Sequence, residues 1–505
     1  MEGAATSQLQ YKPLNASEYE ARFLKPIGRS DAGLLSYKLE THSLTRPPEY
    51  VALSYVWYEK GNDDRTKSAS IIVDGIRVSV TSSLAEALRY TSWPKARWKK
   101  KNRERPVWAD QICINQSDLE ERGQQVQLMG KIYASAAGVH VWLGSASHDS
   151  DRAMEACRRL FEADKGRKKK QKEKDGNGGD KLDAQEKDAI AALIKRPYFE
   201  RVWIIQEIAK NDRRLLLCGD HTAQWTGLEK ALEQLPQHAR EPSESLLLMN
   251  ALMSFRLGEL HGRLAMPRML LMQALLESRR SRATEPRDKI YALLGLTRDG
   301  AEVVPAPHYT GGDALIYTQV ARHFVKRQGH TAAILLAART EERAGLPSWV
   351  PNWGHWSAEV PPWVMRAVKA ERESLEIWRR YKVNQQRLTV PGVQLERIER
   401  CADAASVGDL RKYHVSLGIG ELEYFSMKIA LSAHGRPRVV HQNACPGDYI
   451  CRLENCTLPV VLRRVSKDDF KYVGEVLREE KDDTERYWAD FGFEKGMKMD
   501  EIVIG

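Results

Sequence analysis

The sequence lacks the segments that usually target a chain to the secretory pathway or anchor it in a membrane. Its first residues contain neither a basic start nor an apolar stretch, and no later apolar run is long enough to span a bilayer. Residue 2 is Glu rather than Gly and no cysteine box ends the chain, so lipid anchoring is not indicated. We expect a protein with no secretory leader and no membrane partner.

Cysteine is scarce, with only seven among 505 residues. An odd, sparse set in a long chain without a leader favours free thiols in a reducing compartment. His441, Cys445, Cys451 and Cys456 follow one another late in the chain, but no Cys-x-x-Cys pair is present. Because structural zinc sites usually use such closely spaced pairs, we predict core or strand thiols there and no metal site.

The sequence also lacks a glycine-rich phosphate-binding loop and an internal repeat. The first absence removes the usual nucleotide-binding motifs, and the second argues against solenoid and propeller folds. Hydrophobic residues make up 42% of the chain and charged residues 29%, which is enough apolar content to build cores. The length fits two or three domains.

The net charge of +10 is local rather than general. Residues 95–105 and 165–174 each carry a net charge of +6, so the rest of the chain totals −2. Two solvated loops explain such runs more simply than a basic binding face does. Nucleic-acid binding or nuclear targeting through these runs remains the alternative, and nucleic acid is an unlikely partner.

Short apolar segments alternate with helical patterns between residues 50 and 220. The pattern predicts strands at 50–57, 71–80 (a hairpin turning at Asp74-Gly75), 107–115, 138–144 and 215–218. Strands that alternate with helices predict a mostly parallel sheet with helices on both faces, as in flavodoxin-like folds. In such sheets ligands bind beyond the carboxyl ends of the strands.

Four regions follow from these patterns. Residues 1–44 form an irregular N-terminal extension, and 45–222 form the α/β domain, with a disordered basic insertion at about 162–182. Residues 223–384 read as helical because Leu and Met recur at helical spacing. Short apolar strands recur in residues 385–505, which predicts a small β-rich C-terminal region.

Residues 197–208 place a carboxylate on an aromatic helix. Helical spacing puts Phe199, Val202, Trp203 and Gln206 on one stripe, with Glu207 one turn after Trp203. An acid held against an aromatic wall is partly desolvated, which raises its pKa and suits it to proton or cation chemistry. The simpler alternative is a surface glutamate on an amphipathic helix.

Other candidate residues lie near the predicted strand ends. Asp110 falls inside a predicted strand and is either a site acid or a hydrogen-bonded core acid. Asn115 and Gln116 either hold a ligand or close a turn, and the turn is favoured. Arg201 either contacts phosphate or, more commonly, pairs with a local acid.

Four motifs in the first half of the chain resemble the HET (heterokaryon incompatibility) domain of filamentous fungi. They read YVALSYVW at 50–57, VWADQICINQ at 107–116, VWLG at 141–144 (with Tyr133 before it) and RPYFERVWIIQE at 196–207. EPRDKIYALLGL at 285–296 and LPSWVPNW at 346–353 resemble segments that often follow this domain. GDYIC at 447–451 and PVVLR at 459–463 are similar to its C-terminal tail. One departure is Tyr58, where the family usually has glycine.

The resemblance implies a cytoplasmic effector of fungal non-self recognition that triggers programmed cell death. HET domains are also remotely similar to TIR domains, and TIR domains that cleave NAD carry a Trp-x-x-x-Glu helix after their third strand. Trp203 and Glu207 have that spacing. By this fold-level analogy Glu207 would be catalytic, Trp203 would stack on a ring, and Ser54, Trp57 and Tyr58 would line the pocket.

Three functional hypotheses follow. The first is an effector that hydrolyses NAD, with NAD as substrate and no required cofactor. The second is a non-catalytic signalling or scaffold module that associates with itself or with a protein activator, which would leave Glu207 in a structural salt bridge. The third and weakest is a nucleic-acid binder that uses the two basic runs.

Overall fold

The computed structural model describes residues 9–505 apart from 58–68, 93–104, 148, 171–180, 236–269, 329–333, 336–337, 339–344, 356–381, 385, 403–426, 434–436, 455, 457 and 477–496. The chain forms two compact units, Met1–Thr310 and Gly311–Gly505. The four-region division of the sequence remains a prediction.

The described residues of the N-terminal unit alternate between strands and helices. The strands are β1 (Glu20–Arg29), β2 (Leu35–Ser43), β3 (Val51–Ser54), β4 (Ala69–Val73), β5 (Ile76–Val80), β6 (Val107–Trp108), β7 (Gly138–Trp142), β8 (Arg214–Cys218) and β9 (His221–Gln224). The helices are α1 (Ser82–Ser92), α2 (Asp110–Cys113), α3 (Leu119–Ser135), α4 (Ser150–Lys170), α5 (Ala184–Ile194), α6 (Ile204–Ala209), α7 (Trp225–Glu233), α8 (Leu271–Glu277), α9 (Asp288–Leu294) and α10 (Gly300–Val303). Two 3₁₀ turns cover Ala16–Glu18 and Pro197–Glu200.

The nine strands form one mixed sheet in the order β5-β4-β2-β1-β6-β3-β7-β8-β9. The four strands β6, β3, β7 and β8 are parallel to one another, whereas the β1–β2, β1–β6, β4–β5 and β8–β9 pairs are antiparallel. The α/β class is therefore confirmed, but the expected dominance of parallel pairing is not. All four residues of β3 are buried, as expected for a strand flanked on both sides.

The N-terminal extension is not irregular. β1 and β2 pair from end to end apart from a register shift between Pro26 and Gly28, and Leu24 of β1 lies opposite Val107 of β6, so the two strands join the central sheet. Their sequences mix charged, aromatic and proline residues, which obscures the two-residue alternation that identifies a strand. The expected hairpin is confirmed: β4 and β5 turn at Asp74 and Gly75, which both have positive φ.

The segment 107–115 is a strand for only two residues. β6 ends at Trp108, and the chain turns into the short helix α2, so Asp110 is the first residue of a helix and not part of a strand. The Asp110 carboxylate accepts a hydrogen bond from the Gln111 backbone N–H, 2.8 Å away. Such a local bond offers the backbone an alternative to a sheet ladder, because Asp favours helix starts over strands.

The aromatic segment 197–208 is two elements rather than one continuous helix. Arg201, after the 3₁₀ turn, is extended, and α6 begins only at Ile204. Arg201 and Arg282 form an isolated parallel bridge, and the Val202 N–H donates to the Arg282 carbonyl oxygen at 2.9 Å. A distant strand-like contact thus interrupts the helical spacing that the sequence suggests.

The C-terminal unit is β-rich, as expected. Its described helical elements are α11 (Asp313–His323), a π-helical turn (Phe324–Gln328) and a 3₁₀ turn (Trp353–His355). Its strands are β10 (Lys382–Asn384), β11 (Arg387–Ala402), β12 (Met427–Ser432), β13 (Pro437–His441), β14 (Tyr449–Leu453), β15 (Val460–Arg464), β16 (Asp469–Glu475) and β17 (Asp500–Ile504). The long strand β11 pairs with β10, β12, β14 and β17. One apolar core gathers Ile398, Val440, Ile450 and Val461 among others.

Several predicted features fall on residues that the structure does not describe. α4 continues as helix through Lys170, which corrects the first part of the predicted disordered insertion, and 171–180 lie outside the described residues. The basic run 95–105 lies outside them except for Arg105, as do residues 236–269 of the predicted helical region 223–384. Within the described part of the chain, every helix is too short or too polar to cross a bilayer.

Candidate functional site

Glu207 lies at the carboxyl end of the central strand β3. The last residue of that strand, Ser54, donates a hydrogen bond from its hydroxyl to the Glu207 carboxylate. The Ser54 oxygen also lies 2.7 Å from the hydroxyl oxygen of Tyr198, from the 3₁₀ turn before α6. Glu207 is 2% exposed and Ser54 1% exposed, so the three polar groups meet inside the protein.

Arg201 connects this buried acid to the protein surface. One terminal nitrogen of its guanidinium lies 3.9 Å from a Glu207 oxygen, and the same nitrogen donates to the Tyr55 backbone carbonyl. The Arg201 side chain is 20% exposed, whereas that of Glu207 is 3% exposed. The ion pair is therefore long and only partly shielded from water, and a carbonyl competes for the guanidinium.

Burial dominates the protonation of Glu207. Desolvation raises the pKa of its carboxyl to about 7, although the Arg201 guanidinium and the Ser54 hydroxyl both favour the ionised form. The nearby Asp110 carboxylate opposes them and raises the pKa further. A carboxyl with a pKa near 7 can accept or donate a proton at neutral pH, which an ordinary surface glutamate rarely does.

Asp110 is the second acid near Arg201. Its carboxylate accepts a hydrogen bond from the Trp57 indole N–H at 2.9 Å, and it is partly exposed. Burial raises the pKa of Asp110, against the lowering effects of the Arg201 guanidinium and of donors on Tyr55, Trp57 and the Gln111 backbone. Ser54, Asp110, Tyr198, Arg201 and Glu207 together are called the Glu207 cluster below.

Two tyrosines, one in the Glu207 cluster and one beside it, were missed by reasoning from the sequence. Tyr198 contacts Ser54, and the Tyr133 hydroxyl donates to the Leu53 carbonyl oxygen in β3 at 3.0 Å. Burial first, and then the Glu207 charge, raises the pKa of both phenols well above the usual value, so they stay neutral. Both residues belong to the quoted motif segments, which was the signal that could have identified them.

Asn115 and Gln116 serve the loop between α2 and α3. The Gln116 side-chain amide donates to the Asp110 carbonyl oxygen at 2.8 Å, and the Asn115 side chain accepts from the Ser117 N–H at 3.3 Å. The Asn115 backbone N–H donates to Glu121 at 2.7 Å. These contacts favour the turn-closing interpretation over ligand binding. Tyr58 lies outside the described residues.

Trp203 and Glu207 contact different partners. It is the residue that precedes α6, and its indole N–H donates to Asp288 at 2.9 Å. The Asp288 carboxylate also accepts from the Tyr309 hydroxyl at 2.7 Å. The structure therefore brings Ser54, Trp57, Asp110 and Arg201 to Glu207, and it ties Trp203 to a second polar group.

The Glu207 cluster contains groups for acid–base and cation chemistry rather than for metal binding. In the part of the chain that the structure describes, no three His, Cys, Asp or Glu residues are arranged to hold a metal ion. The cluster has an acid with a pKa near 7 and a partly exposed guanidinium, and the Trp57 indole contacts it through Asp110. It lies at the end of a parallel strand, which is the usual position of α/β sites.

Comparison with known proteins places this cluster inside a recognised family. The model of the family described as "Heterokaryon incompatibility protein (HET)" matches residues 50–207, an interval that begins just before β3 and ends at Glu207. Residues 50–207 therefore match the HET domain family. The resemblance drawn from the four sequence motifs is thereby confirmed.

A curated relative extends the similarity beyond the HET domain. The chain is 29% identical over 378 residues to "Heterokaryon incompatibility protein 6, OR allele" of Neurospora crassa. The match covers 62% of this chain and 54% of that protein, so the chain spans about half the length of the relative. No solved structure matches the chain significantly.

Proposed function

We propose that this HET domain protein is a cytoplasmic effector of heterokaryon-incompatibility type in fungal non-self recognition and cell death. The family match and the Neurospora crassa relative support the incompatibility role. Its trigger would be self-association or binding of a protein activator. The seven free cysteines suit a reducing compartment such as the cytoplasm.

The chemical part of the proposal is hydrolysis of NAD by the Glu207 cluster, in a TIR-like manner and without a further cofactor. The bond between nicotinamide and ribose breaks, nicotinamide leaves with the electron pair, and positive charge develops on the ribose. The Glu207 carboxylate stabilises that cation and then takes a proton from the water that attacks it. The products are ADP-ribose, nicotinamide and a proton.

The observation that supports this chemistry is the position of Glu207, an acid with a pKa of about 7 at the carboxyl end of a parallel strand. Because Glu207 is only 2% exposed, substrate must displace a neighbour before it reaches the carboxylate. Arg201 is the neighbour best suited to move, since it is partly exposed and its contact with Glu207 is long. Once displaced, its guanidinium can pair with the pyrophosphate of NAD.

The same burial favours a second function, a non-catalytic signalling module. In that case the Ser54 hydrogen bond and the Arg201 ion pair make Glu207 a structural acid that fixes α6 to β3. Replacing the carboxyl group would then alter the stability of this contact, and no form of the chain would turn over NAD. The two functions predict different effects for a substitution of Glu207 that removes the charge and keeps the shape of the side chain.

Glu207→Gln separates these functions, with Glu233→Gln as a matched control at an exposed position in α7. NAD content and growth arrest are measured in fungal cells that express each chain, together with NAD loss in purified protein. The catalytic proposal expects NAD loss and arrest for wild type and control, and neither for a folded Glu207→Gln. Arrest by Glu207→Gln without NAD loss in any form would instead establish the signalling module.

A further inference from the structure

Three consecutive charged residues at the start of helix α9 are buried: Arg287, which precedes the helix, and its first two residues, Asp288 and Lys289. Arg287, Asp288 and Lys289 are 9%, 7% and 4% exposed, and they belong to the EPRDKIYALLGL segment that follows the matched HET domain. Burying a charge is costly unless it is paired or hydrogen-bonded. The partners of these residues therefore indicate what the segment does.

Asp288 binds the residue that starts α6. The Trp203 indole N–H donates to one of its oxygens at 2.9 Å, and the Tyr309 hydroxyl donates to the other at 2.7 Å. Arg122 lies 4.0 Å from the same carboxylate and stacks on the Tyr309 ring at 3.8 Å. Because Trp203 is four residues before Glu207, Asp288 fixes the helix turn that carries the acid.

Lys289 holds the chain that pairs with the Arg201 segment. Its ammonium group donates to the carbonyl oxygens of Ser278, Arg279 and Ser281, at 3.3, 2.7 and 2.5 Å. The turn fixed in this way leads directly to Arg282. The Arg282 backbone then bonds on both sides of Arg201, donating to the Glu200 carbonyl and accepting from the Val202 N–H.

Arg287 completes the support by fixing the chain around Tyr309. Two of its nitrogens donate to Glu285, at 2.7 and 3.1 Å, and its guanidinium faces the Tyr309 ring at 5.4 Å. Tyr309 in turn donates to Asp288. The three charged residues therefore all support one stretch of chain, residues 200–207. Lys289 acts through the backbone that pairs with this stretch, and Asp288, with Arg287 behind it, acts through the Trp203 indole.

We infer that Asp288 and Lys289 are positioning residues that hold Arg201 and Glu207 against the end of β3. The functional unit then includes residues 278–310, although the family match ends at residue 207. The catalytic consequence of this inference rests on the proposed function, but the positioning itself does not. Lys289 and Asp288 contact the supporting chain and Trp203, not the Glu207 carboxylate.

The test uses the full-length chain with Trp203→Phe, which keeps an aromatic ring but removes the indole N–H, and with Asp288→Ala. Glu302→Ala, at an exposed position in α10, is the matched control. Hydrogen exchange is followed in the peptide 200–209 and in β7, and the Glu207 carboxyl is titrated by NMR. The double variant Trp203→Phe/Asp288→Ala measures whether the two residues act through one contact.

Both single variants should exchange amides in 200–209 about tenfold faster than wild type, with β7 unchanged. The Glu207 titration midpoint should fall by about one pH unit, because water reaches a loosened carboxyl. The double variant should add little to the larger single effect. Glu302→Ala should resemble wild type in every measurement.

The inference would be overturned by a folded Trp203→Phe variant whose amide exchange in 200–209 and whose Glu207 titration midpoint both equal those of wild type. If Asp288→Ala unfolds the whole chain, the Trp203→Phe variant alone tests the inference. That substitution removes the indole N–H but keeps an aromatic ring in the same place. Neither measurement requires NAD turnover. A loosened 200–209 segment in a protein that never cleaves NAD would keep the positioning role and refute the proposed reaction.

Discussion

Opposing influences act on the carboxyl group of Glu207. Desolvation favours the neutral acid, whereas the Arg201 guanidinium and the Ser54 hydroxyl favour the carboxylate. Desolvation wins because the ion pair is long and Arg201 is also engaged by the Tyr55 carbonyl. Glu207 therefore gains and loses its proton near neutral pH. Either a catalytic acid–base group or a pH-sensitive structural contact could use that property.

This balance predicts how stability depends on pH. The pKa of Glu207 is about 7 in the folded chain and close to the ordinary glutamate value of 4.5 when unfolded. The folded state therefore holds the proton more tightly, and the contribution of Glu207 to stability is present below pH 4.5 and lost as pH rises through 7. A shift of this size corresponds to about 3 kcal/mol.

Glu207→Gln removes that dependence. As pH rises from 5 to 8, the free energy of unfolding of the variant should increase relative to that of wild type, by up to about 3 kcal/mol. Urea unfolding at several pH values measures the difference, and Glu233→Gln should show no such trend. A difference that stays constant with pH would mean that Glu207 titrates alike in the folded and unfolded chain.

At the scale of elements, the packing of α7 on α4 leaves no space for a side chain at Gly227. A Cβ built there would lie 2.0 Å from the carbonyl oxygen of Cys157, which belongs to the α4 backbone. Gly227→Ala should therefore destabilise the protein by more than about 2 kcal/mol, although alanine normally stabilises a helix by about 1 kcal/mol relative to glycine.

Thermal or urea unfolding of Gly227→Ala tests this contact between helices. Gly312→Ala is the matched control, because a Cβ at Gly312 meets no heavy atom within 4 Å. The control should change stability by no more than about 0.5 kcal/mol. A neutral or stabilising Gly227→Ala would show that α4 and α7 are farther apart than the structure has them.

The sequence identified those elements whose pattern is local. The strands at 50–57, 138–144 and 215–218 and the Asp74-Gly75 hairpin are apolar runs or a turn pair, and the structure has each of them. The first two strands are shortened to Val51–Ser54 and Gly138–Trp142, and the third begins one residue earlier, at Arg214. Helical spacing led to Glu207, residues near predicted strand ends led to Asp110 and Arg201, and the family resemblance led to Ser54. These four residues do meet at one strand end.

The remaining features depend on contacts between distant residues. The break before α6 arises from pairing with Arg282, and the orientation of Trp203 arises from Asp288, 85 residues farther along the chain. β1 and β2 become strands because a sheet is present to receive them, despite their mixed composition. Local periodicity contains no information on such partners.

At the scale of the whole molecule, the seven cysteines remain thiols and differ in access to solvent. Cys445 is exposed, Cys401 is partly buried, and the other five are buried. Burial raises the pKa of Cys113 and of Cys157 to about 12, and it also raises the pKa of Cys401. Thiolate is the reactive form, so the buried thiols should react slowly.

A thiol reagent such as DTNB should therefore modify one cysteine rapidly in the native chain and seven in denaturant. Cys445→Ser should abolish the fast phase, whereas Cys113→Ser should leave it intact. Fewer than seven reactive thiols in the unfolded, unreduced chain would reveal a disulfide. That result would contradict both the structure and the expected reducing compartment.

The proposed function and the positioning role of Asp288 both depend on the state of one side chain in the whole protein. The most direct measurement is an NMR titration of the Glu207 carboxyl in full-length protein carrying ¹³C-labelled glutamate, with the signal assigned by its loss in Glu207→Gln. The account predicts a midpoint near 7. A midpoint near the ordinary value of about 4.5 would mean that Glu207 is well solvated, and it would contradict the account.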